Sequence, residues 1–541
     1  MGYPQSMMES IGRLEASREK RLKQEIHLLT LEEKTQLLES FHPDYRPEVR
    51  RQIPAGVNKG EPGTSELVDL LEARSLIDPL TFDLDDLYAS VDVLVVGGGG
   101  GGATAALFAG ETGAKVLLAT KLRFGDCNTT MAEGAINACT YPGDTPVRHY
   151  IDTMGAGGFT NVPAVVRALV EDSPTIIEWL EDLGVPFFRR PDGTYLRRPL
   201  GGGSTRARGH SVGDYTGMAI MHTLRDEVLN KGIEVMEFSP IAELVLDESG
   251  RCAGAILLNL ETNGYLLIQS RVTILATGGI GRLHVQDFPT TNHYGATADG
   301  IVVAYRAGAE LIHVDSIQFH PTGTCYPPQL MGLLVSETNR ARGAQLVNVK
   351  GERFINELET RDIVASAIIR EVMDRRNGVM TPVGSQGIWL DTAVIDIKNG
   401  EGFIKNYFRH LCHRFERYDI DFAKGPVLVY PSQHYQNGGV LIDNMGKTNI
   451  PGLYAVGEVS GGAHGRNRLG GNSLTDIFVF GKRAGVQAAR TFKDIEVGEL
   501  TLSHVVEYHK ELTDAGRDSG KRSPLFLPDY RYEKALPRYH Q

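Results

Sequence analysis

The first stretch with a decisive pattern is VDVLVV (91–96), an unbroken apolar and β-branched run. That is the form of a strand covered on both faces. Six glycines, Gly97 to Gly102, follow it, then the helix-prone ATAALFAGETGA (103–114) and a second apolar run, KVLLAT (115–120). VTILATGG (272–279) and GLYAVGE (452–458) repeat the theme of an apolar run ending in glycine, and predict two more strands of the same sheet. Their separation predicts one domain interrupted by a long insertion. Upstream, Thr30 and Glu33 have capping-box spacing, and Leu31, Leu37 and Leu38 follow at helical intervals. The breaker-rich PAGVNKGEPG (54–63) leads to a second amphipathic stretch, ELVDLLEARS (66–75), with Thr64 or Ser65 placed to cap it. The pattern divides the chain into a helical N-terminal extension (1–90), a main domain in two pieces (91–312 and 434–492), an inserted unit (313–433) and a short polar tail (493–541). The extension is expected to wrap on the main body or to pack on a partner subunit.

Gly97, Gly99 and Gly102 satisfy G-x-G-x-x-G between a strand and a helix. In that context the first glycine permits the turn, the second lets backbone approach a pyrophosphate, and the third lets helix and strand pack closely. The helix N-terminus adds free N–H groups and the positive end of its dipole. A dinucleotide is therefore expected. The acidic residue that NAD-binding units carry after the second strand is replaced by Thr120 and Lys121, which favours FAD.

Composition narrows the rest. With 56 basic and 67 acidic residues the net charge is −11, which excludes a binder that relies on Lys/Arg–phosphate contacts with nucleic acid. Five scattered cysteines form no CxxC or CxxCH, so neither c-type haem nor cysteine-ligated clusters are expected within the chain. No apolar run approaches the ~18 residues of a membrane span, and the charged N-terminus is unlike a signal peptide. A cytoplasmic protein is expected.

Five further motifs come in order: QFHPTG (318–323), SETNRARGA (336–344), NELETRD (356–362), HYQNGG (434–439) and GEVSGGAHGRNRLGGNSL (457–474). Together they resemble the flavoprotein subunit of the fumarate reductase/succinate dehydrogenase family, over about three quarters of the 541 residues. The stretch around Arg468 is most similar to the soluble, flavocytochrome-type fumarate reductases. The resemblance implies an α/β fold: an FAD-binding Rossmann-like domain of glutathione-reductase type, an inserted α+β capping domain and the N-terminal helical extension.

The resemblance also implies roles. Fumarate is a flat dianion, so its site needs cations and hydrogen-bond donors around both carboxylates, a hydride donor on one face and a proton donor on the other. Arg361 matches the arginine that protonates the substrate carbon, with Glu337 and Arg340 as its relay. His434 and Arg468 match residues that bind and polarise one carboxylate; His320 and Ser336, the latter replacing the more usual Thr, match those holding the other. Arg466 is expected to be the exposed member of the arginine pair it forms with Arg468. Glu458 is expected to hydrogen-bond the ribityl chain, and Lys121, Asn128, Thr129, Gly134, Ala135, Thr277, Gly278, Asp299, Ser473 and Leu474 to line the cofactor with the three glycines.

Three departures shape the expectation. Asn128 stands where covalent members carry the flavin-linking histidine, so FAD is expected to be non-covalent. RARG (340–343) replaces the usual Arg-Gly-Glu-Gly, and Arg342 is expected to admit a larger or more anionic acid. The long C-terminal helical region of membrane-complex members is nearly absent while residues 1–90 are extra, which makes that extension the expected docking element for an electron-transfer partner subunit, iron–sulfur or similar. The expected reaction is reduction of fumarate, or a related unsaturated dicarboxylate, to succinate by hydride transfer from flavin N5 and protonation by Arg361. The alternatives are an L-aspartate-oxidase-like flavoenzyme and an FAD electron-relay subunit. A steroid or enoyl dehydrogenase would lack these carboxylate-binding His and Arg residues.

Overall fold

A computed structural model describes residues 2–283, 286–517 and 520–528. Its central sheet holds five parallel strands in the order Glu234–Met236, Val116–Ala119, Leu87–Val96, Gly264–Leu275, Leu453–Ala455. Four of these carry the apolar runs read from the sequence. Val93 to Val96 and Val116 to Ala119 are buried on both faces, as unbroken apolar strands must be. The Gly264–Leu275 strand also heads an antiparallel meander with Cys252–Asn259 and Ile241–Asp247.

The helix after the glycines, Gly100–Gly110, buries every residue from Gly100 to Ala109. Small side chains make that burial feasible. A Cβ at Gly481 or Gly485 of the crossing helix Asn472–Thr491 would lie 2.7 Å from the Gly101 carbonyl oxygen or 2.5 Å from that of Ala105. The two backbones are therefore nearly in contact, which fixes both helix N-termini on one cavity.

The second unit is an antiparallel sheet in the order Ile317–Tyr326, Val427–Gln436, Gln386–Asp391, Gln345–Val347, with the helix Arg361–Ile369 against it. Its own core includes Trp389, Phe408, Phe415 and Phe422. The Ile317–Tyr326 and Val427–Gln436 strands run back into the first unit and place His320 and His434 with ring centroids 5.1 Å apart.

The N-terminal extension packs within the chain, and it is only partly helical. Helix Gln5–Leu22 buries Met7, Ile11 and Leu14 in the core of the second unit. Arg18 and Arg21 both pair with the buried Asp391, and Trp389 Nε1 donates to Ser10 (3.0 Å). Thr30 caps helix Leu31–Phe41 with the full capping box, whereas Thr64 occupies the cap position of Ser65–Leu71 without using its hydroxyl. Two short strands and two 3₁₀ turns fill the interval between those helices. The tail is also integrated: Leu500–Thr501 joins the meander edge, and Ser503–Asp514 buries Tyr508 and Leu512.

Candidate active site

The site begins where the Leu87–Val96 strand ends. Gly97 has φ +125°, and a Cβ there would lie 2.2 Å from the Ala276 carbonyl oxygen, so only glycine fits this turn. A Cβ at Gly102 would lie 1.8 Å from the Gly97 carbonyl oxygen, which is the close packing that the third glycine serves. Gly102 accordingly stands behind the cavity wall and does not line it, a correction to its assignment as a cofactor contact. An added Cβ at Gly99 would meet Cys127 and Thr129 no closer than 3.6 Å, so the surrounding side chains do not themselves require glycine there.

That cavity measures about 580 Å³ and runs from the glycines to Arg361 and Arg468. All the other residues assigned to the cofactor line it, from Lys121 through Asn128, Thr129, Gly134, Ala135, Thr277, Gly278, Asp299 and Glu458 to Ser473 and Leu474. Lys121 pairs with the buried Asp299 (2.5 Å), whose acid strength burial lowers. An acidic residue thus does stand at this end, contributed by a later helix. Thr277 Oγ1 is buried without a partner. Asn128 Nδ2 donates to Asn292 Oδ1 (2.8 Å) and Glu458 Oε2 (3.2 Å), and Gln436 N–H donates to Glu458 Oε1 (3.0 Å). Two helix N-termini, a glycine wall and an orphaned hydroxyl fit an FAD pyrophosphate and its ribityl chain.

At the far end the strands and helices of the second unit close the cavity with charge. Arg361, first residue of its helix, donates from Nε to Glu337 Oε2 (2.9 Å) and from Nη1 to Gln318 Oε1 (3.0 Å). Arg468 Nη2 donates to the same Gln318 oxygen (3.0 Å), and its guanidinium lies 4.3 Å from the Tyr435 ring centroid. One amide oxygen therefore holds two cations side by side. Behind Arg361, Glu337 Oε1 accepts from Gly202 N–H (2.8 Å), with Arg198 Nη2 3.7 Å from that oxygen and Arg340 Nη2 3.7 Å from Glu337 Oε2. Gly470 admits this pair, since a Cβ there would lie 2.8 Å from Glu337 Oε2 and 2.9 Å from Arg361 Nη2.

The electrostatics follow from the crowding. Burial would neutralise the Glu337 carboxyl, but Arg361, Arg198 and Arg340 outweigh it and hold the group well below the usual carboxylate range. Burial first, then repulsion from Arg361, depresses both His320 and His434, so both are neutral at neutral pH. Burial and repulsion from Arg361 lower Arg468 to about 9, and burial lowers Arg340 to about 10. His434 Nδ1 shares a hydrogen bond with Thr291 Oγ1 (2.7 Å), while His320 Nε2, Ser336 Oγ and Arg468 Nε are buried without partners on the cavity side. A buried, cationic pocket with unpartnered donors suits an anion.

The structure brings Arg361, Glu337, His320, Ser336, His434 and Arg468 to this one cavity. Arg340 lies one step behind it, against Glu337. Arg466 points elsewhere, to Asp315 (3.0 Å), with its side chain 42% exposed. Arg342, expected beside the substrate, instead stacks on Phe403 and Tyr407, at 4.8 and 5.5 Å, away from the cavity. The sequence reading missed Gln318 and Arg198. Gln318 had a signal, standing two residues before His320 on one face of a strand; Arg198 had none.

The FAD binding domain family matches residues 92–474. A chain of the CoM/CoB fumarate reductase of Methanothermobacter marburgensis is 38% identical over 82% of this chain and 80% of its own length. An L-aspartate oxidase of Pseudomonas aeruginosa is 35% identical over 79% of each chain. A quinol–fumarate reductase solved with menaquinol molecules superposes with a TM-score of 0.70 at 30% identity, over 80% of this chain and 76% of that one. Among the described residues no helix is long and apolar enough to cross a membrane. The chain thus belongs to the FAD-binding flavoprotein family of the fumarate reductase/succinate dehydrogenase type, and is an FAD-dependent oxidoreductase.

Proposed function

We propose that the chain reduces fumarate, or a closely related unsaturated dicarboxylate, to the saturated acid. The observation that supports this best is the Gln318-bridged pair of Arg361 and Arg468, flanked by neutral His320 and His434 and opening on the FAD cavity. His434 and Arg468 would bind and polarise one substrate carboxylate, and His320 with Ser336 would hold the other. Drawing electrons toward one carboxylate makes the far alkene carbon electrophilic. The FAD held along the glycine wall, once reduced by the electron donor, would supply hydride from N5 at that carbon. Arg361 would give the proton to the neighbouring carbon. Glu337, kept ionised by three guanidiniums, would return a proton to Arg361 from Arg340.

FAD is held non-covalently in this reading, because the Asn128 amide is no nucleophile and is engaged by Asn292, His293 and Glu458. Electrons would reach the flavin from a partner subunit carrying an iron–sulfur centre or similar group. The L-aspartate oxidase relative supports a second reading in the same site, oxidation of an amino acid with oxygen as acceptor.

One anaerobic experiment separates these. The flavin is released by acid to test the linkage; in parallel, holoenzyme is reduced, freed of reductant and mixed with fumarate. Rapid reoxidation with succinate formed is the expected result. No reoxidation by fumarate, with peroxide formed from L-aspartate in air, would replace this reading by the oxidase one. Inertness toward both acids would leave an electron-relay role.

A further inference from the structure

A second cavity of about 370 Å³ lies on the other side of Glu337 and shares no lining residue with the first. Its wall includes Arg340, Arg342, Arg353, Lys398 and Glu357. The carboxylate is already spent: Glu357 is paired with Arg353 (2.5 Å) and accepts from Leu346 N–H (3.1 Å). Arg353 is likewise engaged, by Glu357 and the Gln24 carbonyl (2.8 Å). Of the remaining cations Arg340 is paired with Glu337 (3.7 Å), whereas among the described residues Arg342 has no carboxylate within ion-pair distance. Arg340, only 2% exposed, gives Nη1 to the Glu357 carbonyl and turns Nη2 toward Glu337 (3.7 Å), which leaves its Nε without a partner. Arg342 Nε is also buried and unpartnered, its guanidinium held flat by Phe403 and Tyr407. Among the described residues no carboxylate lies within ion-pair distance of Lys398, whose Nζ projects over Gly343 next to Arg342.

Guanidinium N–H groups buried without partners are costly, and a planar fork fixed by aromatic stacking is preorganised for a two-oxygen acceptor. We infer that this second cavity is a binding site for a small oxyanion, a phosphate or carboxylate group, held by Arg340, Arg342 and Lys398. The class of ligand follows from the donors: the Arg342 fork, the Arg340 Nε–H and one ammonium, all hard cationic donors. The site's consequence rests on the reductase reading. Arg340 would then be the outermost member of the chain that reprotonates Arg361, and an anion against it stabilises its charged form and slows proton return. Occupancy would lower kcat and leave KM for fumarate unchanged.

The test uses holoenzyme and the variants Arg342→Ala and Lys398→Ala, neither of which touches the substrate cavity. Retained flavin absorbance and an unchanged unfolding midpoint certify the fold. Titration with inorganic phosphate by calorimetry is expected to show one site per chain, weakened about tenfold in each variant, as loss of one charge-assisted contact implies. No phosphate binding, or equal affinity in all three proteins, would overturn the inference and make the cavity a water-filled proton entry only. Succinate titration identifies the natural oxyanion. Two succinate sites in the parent and one in Arg342→Ala select a carboxylate; one in both, with phosphate bound, selects a phosphate. Failure of the reductase reading looks different: a single succinate site that Arg342→Ala removes.

Discussion

Arg361 cannot be understood from its own chemistry. An isolated guanidinium is a poor acid; this one stands against a carboxylate at 2.9 Å and beside a second guanidinium sharing its acceptor. We expect Arg361→Ala to lower dye-driven fumarate turnover by about 10³-fold or more with FAD still bound, the scale of losing an acid and a charge contact together. Turnover within a few-fold of the parent would remove Arg361 from the mechanism. Gln318 makes a separate prediction. Its amide keeps Arg361 and Arg468 side by side, so Gln318→Ala should raise KM for fumarate about tenfold through misaligned carboxylate contacts; an unchanged KM would reduce Gln318 to a packing residue. At this scale the sequence was most legible where a residue type is chemically demanding. His320, His434, Arg361 and Arg468 stood in motifs, whereas Arg198 reaches Glu337 from a loop whose local pattern carries no trace of that contact.

Among the elements, the N-terminal extension takes the first of its two expected places, wrapped on the main body, although it is helical only in part. Its apolar positions serve the second unit's core, and its linker grips the segment that precedes Arg361. Leu29 N–H and Lys34 Nζ both engage Glu359, at 2.6 and 2.8 Å, and Asn356 donates to the Ile26 carbonyl (2.7 Å). Glu359 lies two residues before Arg361. Deleting residues 1–80 should therefore abolish dye-driven turnover along with any partner-driven activity, and survival of the dye-driven rate would restore the docking role. The buried pair of Arg21 with Asp391 gives the stability measure. Arg21→Ala leaves a buried carboxylate with Arg18 alone and should cost about 3 kcal/mol in denaturant unfolding. The strands were legible because a doubly covered strand has no polar face to hide. The extension's partner was not, since an amphipathic helix shows that it has an apolar face and not what covers it.

Across the whole molecule, burial of uncharged histidines sets an acid limit. His149 shares a hydrogen bond with Asn472 (2.9 Å) and His210 with Thr140 (2.8 Å). Burial, aided by Arg208 and Arg197, lowers both from 6.5 to about 4. The unfolded chain takes up these protons from about pH 6.5 downward and the folded chain does not, so stability falls as pH falls from about 6.5 to about 4. Each histidine contributes up to about 3 kcal/mol of that loss. The urea midpoint should fall across this window, less steeply in His210→Gln; a flat midpoint would contradict the assignment.

The sequence by itself determined the strand–glycine–helix turn, the dinucleotide it serves and the set of cationic and imidazole groups that line the far end of its cavity. Those are local demands: a turn at φ +125° accepts only glycine, and a dianion needs cations and hydrogen-bond donors around it. The tertiary structure alone decided which side each group faces. Glu337 and Arg340 sit three residues apart on one short helix, yet one opens on the FAD cavity and the other on a second, cationic one. Arg342 was carried with Arg340, away from the substrate it was expected to meet. A side chain's neighbours come from segments remote in the chain, here residues 198, 318, 357, 398 and 468, and no local pattern encodes that meeting.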